Sequence, residues 1–136
     1  MSVYKDSKDE VYISKFKDEQ LVFGWANVAI LEDGENRPID WDGDEIDPDV
    51  LEKAAYNFVL NFGDTGVMHE GESVGKLVES VMFTEEKMEA MGIPKGILPY
   101  GWWVGFKVLD ADVFQKVKDG TYNMFSIQGT AIKNTK

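Results

Sequence analysis

The chain has 136 residues, 43% of them hydrophobic and 29% charged, the balance of one folded domain with a real core rather than of a disordered segment. Fourteen Lys and Arg stand against 25 Asp and Glu, giving a formal net charge of -11. With Arg37 as the only arginine, DNA, RNA and anionic membrane surfaces are poor partners, and the absence of cysteine removes disulfides, thiolate metal sites and thiol nucleophiles together.

Residues 1–10 (MSVYKDSKDE) read as a polar arm without a signal-peptide core, followed by a single domain over residues 11–136. No apolar run approaches the roughly 18 residues of a membrane span. Residues 11–16 alternate as a short strand. Residues 20–31 (QLVFGWANVAIL) form a longer core strand in which Gly24 marks a bulge or a close approach. Residues 32–47 read as an acidic, glycine-containing loop. Asp47-Pro48 then opens a helix, with Asp47 as cap and Pro48 in the first turn, where no hydrogen bond is lost. Val50, Leu51, Ala54, Ala55, Phe58 and Val59 give that helix its apolar face, and Gly63 stops it.

Residues 65–70 form a short strand or loop carrying His69. Residues 74–83 (VGKLVESVMF) are a strand whose strict alternation would put Leu77, Glu79, Val81 and Phe83 on one face. A short helix starts at Thr84 and ends by Gly92. Residues 94–99 are a loop, residues 102–109 a strand, residues 110–118 a helix closed by Gly120, and residues 124–133 a last strand. The order β-β-α-β-β-α-β-α-β predicts a mixed α+β domain with a curved or barrel-like sheet.

Two segments carry chemistry. Met68-His69-Glu70 holds the only histidine, and Met124-Phe125-Ser126-Ile127-Gln128-Gly129 places a serine inside an apolar, strand-like run. A serine needs a base to become a nucleophile, and histidine suits that task near neutral pH, so a Ser-His mechanism here must use His69 with Ser126. The competing reading is a solvated histidine and a strand serine that never meet. No G-x-S-x-G elbow is present. An acid is needed to orient the histidine in a triad, and Glu79 and Glu70 are the candidates, with a plain dyad as the third option. Glu79 is drawn in by its apolar neighbours, and Glu70 by adjacency.

Other patterns read more simply. The stretch 40–47 (DWDGDEID) departs from a calcium loop, because its glycine falls at the fourth place and Leu51 stands at the twelfth. It is better read as the approach to a capped helix, and no metal or other cofactor is expected. Trp102-Trp103 could be a stacking platform, but adjacent strand residues face opposite ways, so at least one belongs to the core.

Taken together, GWANVA, IDWDGDEIDPDVLEKAAYNFV, MHEGESVGKLVES and GWWVGFKVLDADVFQKVKDGTYNMFSIQGTA, in this order, resemble the XkdF-type phage serine proteases. These are grouped with the phage prohead maturation proteases and the herpesvirus assemblins. The resemblance covers roughly residues 20–132. It implies a mostly antiparallel, barrel-like β core decorated by about three helices. By position it implies Ser126 as nucleophile and His69 as base. It further implies an endopeptidase that cleaves phage scaffold or capsid proteins, and itself, within an assembling prohead in the host cytoplasm, with self-association compatible. Assemblins carry a second histidine beyond the serine and an arginine loop after it; after Ser126 this chain has only Lys133 and Lys136. That departure motivates the alternative of a non-catalytic phage structural or scaffold-binding module on the same fold. A carboxylate-based hydrolase is a third reading, without a specific pair among the 25 acids.

Overall fold

The structure, a computed structural model, describes residues 10–30, 47–64, 66–69 and 72–127. The described elements run β1 (Glu10–Lys17), β2 (Leu21–Ile30), α1 (Pro48–Phe62), β3 (Val67–His69), β4 (Glu72–Met82), α2 (Glu85–Met91), β5 (Tyr100–Val108), α3 (Ala111–Lys118) and β6 (Met124–Ile127). Among the described residues the six strands close into one barrel in the order β1-β2-β5-β4-β3-β6, with every neighbouring pair antiparallel. The expected α+β, barrel-like architecture with three helices is therefore the observed one. The polar arm up to residue 9 and the acidic loop 32–46 lie outside the described residues, as does the expected extension of the last strand over 128–133.

Local chemistry sets the joints. Between β1 and β2, Gln20 adopts a left-handed φ of 67° and donates from Nε2 to the Val108 carbonyl at 2.6 Å, so a side chain holds a turn that lacks glycine. Gly24 meets the facing strand so closely that an added Cβ would lie 1.9 Å from the Tyr12 carbonyl oxygen; the expected close approach is to this backbone. Asp47 caps α1, accepting from the Asp49 N–H at 2.8 Å with Pro48 in the first turn. Thr84 caps α2, which ends at Gly92 with φ 80°, and the Ile93 N–H reaches back to the Met88 carbonyl at 2.9 Å. Asp110 caps α3.

The core fills the barrel and the face under α1. Val11, Val22, Val67, Val104, Phe106, Val108 and Phe125 are buried from the strands, and Leu51, Ala55 and Phe58 from α1. Phe58 meets the fully buried Trp102 ring edge-on at 5.6 Å, so α1 plugs one mouth of the barrel. Trp103 faces the other way and packs against Trp25 at 5.2 Å, as expected of adjacent strand residues.

Strict alternation does not hold along β4. A register shift between Leu77 and Glu79 pairs Leu77 with Phe106 but Glu79 with Gly105. The extra residue, Val78, is a bulge that moves Leu77 onto the face of Ser80 and Met82. Glu79 thereby loses Leu77 from its own face and keeps Val81 and Phe83, and it is exposed.

Candidate functional site

Strands β3 and β6 lie side by side, pairing Val67 with Ile127 and Met68 with Ser126. The topology thus brings onto adjacent strands two residues, His69 and Ser126, between which 56 residues (70–125) intervene along the chain. Directly opposed residues share a face. Val67 and Ile127 are both buried and define the inner face. Met68 and Ser126 then point outward, and Ser126 is exposed.

His69 is the last residue of β3, one step beyond Met68. Its ring lies 4.0 Å from the Tyr122 ring at an interplanar angle of 39°, and 5.9 Å from the ring of buried Phe125. Its Nε2 is buried. Lys116 Nζ sits 5.5 Å from the Tyr122 centroid on the α3 side, which extends the stack outward. Ser126 and His69 thus belong to adjacent strands and neighbouring register positions but to opposite faces of the pleat. Among the described residues no hydrogen bond joins the Ser126 hydroxyl to the His69 ring.

The candidate acids fall as follows. Glu70 lies outside the described residues. Glu79 is exposed, across from Gly105 on β5, and sits seven positions along β4 from the residue that faces His69, roughly 20 Å at the rise of a strand. The structure does not bring Glu79 to His69. The residue opposite His69 is Glu72, at the start of β4. Sequence reasoning passed over Glu72. The only signal for it was its spacing of three residues from His69, between two segments whose register the sequence leaves open. Among the described residues no cluster of three or more His, Asp or Glu could hold a metal ion, and no described helix is long and apolar enough to cross a membrane. Asp47, the last acid of the 40–47 stretch, is engaged as the α1 cap.

Chemically, the outer face presents a serine hydroxyl open to an incoming carbonyl, between the β1 residue Glu10 and the β3 residue Met68 in register. His69 and the acid in register with it, Glu72, stand one position further along, at the end of the β3–β4 pair.

Searches of curated proteins and of solved structures each returned no match. A family model described as putative phage serine protease XkdF matches residues 10–134, a span that takes in the whole barrel together with both candidate residues, and the chain belongs to that family.

Proposed function

We infer that the protein is a serine endopeptidase of phage prohead maturation, with Ser126 as nucleophile and His69 as general base. The adjacency of β3 and β6, which sets Ser126 opposite the residue before His69, is the observation that carries this reading. Ser126 attacks the scissile carbonyl; His69 takes its proton and returns it to the leaving amine. In this scheme Glu72, in register with His69 across the β3–β4 pair, takes the orienting role for which the sequence offered Glu79 and Glu70. Catalysis in this scheme requires His69 to turn from the inner to the outer face. Its position at the end of β3 makes that change local: the terminal pair His69 and Glu72 turns together, the ring gives up the Tyr122 and Phe125 contacts, and Val67 and Met68 stay paired. The substrates are phage scaffold and capsid proteins and the chain itself, met inside the assembling particle in the host cytoplasm.

Intact mass after incubation with a fluorophosphonate tests the assignment on the wild type, Ser126→Ala and His69→Ala. A single adduct on the wild type, lost from both variants, is the expected result. Cleavage of scaffold protein should fall by several orders of magnitude in Ser126→Ala, toward the roughly 10⁶-fold of a well-developed triad. An adduct or cleavage that survives Ser126→Ala removes this serine from the mechanism.

A second reading, a non-catalytic structural or scaffold-binding module, draws on one observation: the His69 ring packs on Tyr122 and Phe125 rather than toward Ser126. It predicts no adduct in any state of assembly, and scaffold binding unchanged by Ser126→Ala.

A further inference from the structure

The pairing of β4 is incomplete. Strand β3 covers it only from Glu72 to Gly75, so beyond Gly75 it has β5 on one side and, among the described residues, no strand on the other. The direction of its main-chain groups follows from Phe83, which exchanges both bonds with Gly101 on the β5 side at 2.7 and 3.1 Å. Counting back by twos, Val81 and Glu79 also face β5, while Ser80 and Met82 face the other way. Two devices close the ends of this open edge. The Gly63 carbonyl at the end of α1 accepts from the Leu77 N–H at 2.8 Å, and Lys87 Nζ donates to the Met82 carbonyl at 3.0 Å. Between them the N–H and C=O of Ser80 and the N–H of Met82 have no hydrogen-bond partner among the described residues.

That edge forms the floor of a groove of about 740 Å³ between β4 and α1. Its walls are apolar and open: Tyr56 is 49% exposed, Val59 45%, Leu60 80% and Val78 51%. An unpaired edge beside exposed apolar side chains is the template for strand addition. The charge of the groove selects the occupant. Lys87 is tied to Glu52 at 2.8 Å, which leaves Glu79 as the lining charge that no described cation answers. The net charge of -11 over the chain adds a long-range field of the same sign.

We propose that the β4 edge from Val78 to Met82 docks an extended segment of a partner protein in which apolar residues alternate with Lys or Arg. The segment adds as a strand, takes up the bare main-chain groups of Ser80 and Met82, sets its apolar side chains against Tyr56, Val59 and Leu60, and places a cation opposite Glu79. The site lies on the far reach of β4 from His69 and does not rest on the assignment of Ser126.

Fluorescence anisotropy with labelled acetyl-(Lys-Val)₃-amide tests the proposal. Saturable binding is expected, weakened about tenfold or more when all the peptide amides are N-methylated or when Glu replaces Lys in the peptide. Glu79→Lys should invert the preference between the basic and acidic peptides. Leu60→Asp, at a helix position that is 80% exposed and leaves the fold intact by circular dichroism, should weaken binding about fivefold or more. Ser126→Ala should bind as the wild type does, which separates this site from the catalytic one. Absence of binding, equal binding of the N-methylated peptide, or an unchanged charge preference in Glu79→Lys overturns the proposal. So does self-association of the chain that Leu60→Asp abolishes without peptide binding, which assigns the edge to a second copy.

Discussion

Gly24 is where one missing carbon matters most. A Cβ there would lie 1.9 Å from the Tyr12 carbonyl oxygen and 2.9 Å from its carbon, both backbone atoms that move only if β1 parts from β2. Gly24→Ala should therefore cost about 3 kcal/mol, the upper end of overpacking penalties, measured as a shift in urea midpoint. Gly105 is a milder case, because the nearest atoms belong to the Phe23 ring at 2.7 and 2.8 Å. At the other end of the groove, Lys87 binds Glu52 at 2.8 Å, the Tyr56 hydroxyl at 2.8 Å and the Met82 carbonyl at 3.0 Å. The hydrogen bond from Lys87 holds the Glu52 carboxyl below its usual range, partly offset by burial. Burial pulls the Lys87 ammonium down, but its bonds to Glu52 and Tyr56 outweigh this and raise it. A depressed acid stabilises above its unfolded titration and loses that contribution as pH falls through the folded one. A raised base stabilises below its unfolded titration and loses it as pH rises through the folded one. The tie is thus at full strength across the neutral range. Lys87→Met should lower stability at pH 7 by about 0.5 kcal/mol, and the gap to wild type in denaturation midpoint should close as the solution is acidified through the Glu52 titration.

At the same scale, the sequence made Ser126 and His69 legible as residue types, but neither the adjacency of their strands nor their faces. Alternation within 124–127 tells that Ser126 opposes Phe125 and Ile127; it does not tell which face His69 shares. That depends on the pairing of Met68 with Ser126, a register between strands far apart in the chain. Glu72 stayed hidden for the same reason, and Glu79 looked more enclosed than it is because a uniform two-residue period was carried through the bulge at Val78, which moves Leu77 to the other face.

Among the elements, α1 was the most readable. Its start rests on a cap and a proline, both local signals, and its apolar face follows the helical period. What the period does not give is the partner of each side chain. Leu51, Ala55 and Phe58 go into the core, whereas Val59, counted with them in the sequence, is 45% exposed and lines the groove along β4. Phe58 is the anchor, 1% exposed and edge-on to Trp102. Phe58→Ala should destabilise the fold by about 3–5 kcal/mol. Because Gly66 also packs against the Phe58 ring, with a Cβ there only 2.6 Å from it, the variant should loosen the entry to β3 as well. Hydrogen exchange that rises at the amides of β3 before those of β5 checks this.

Over the whole molecule, closure is non-local. Residues 10–12 of β1 pair with 124–126 of β6, so the seam joins the first and last described strands. Such closure requires nearly the entire chain to be ordered before its last contacts form. Refolding should be slow for a domain of this size, in milliseconds to seconds, and single-exponential by tryptophan fluorescence, with Trp25 and Trp103 reporting the β2–β5 wall. The class of fold was readable because strand and helix signals alternate so plainly along the chain. The order β1-β2-β5-β4-β3-β6 was not, since nothing local marks which edges meet.

The serine sits in the strand that closes this seam. During synthesis β6 is made after the other five described strands, so a ribosome carrying the chain through Asn123 holds His69 and an open wall without Ser126. Under the proposed function, reactivity and barrel closure then arrive in the same event, and a nascent chain does not attack its neighbours on the polysome before its own fold is finished.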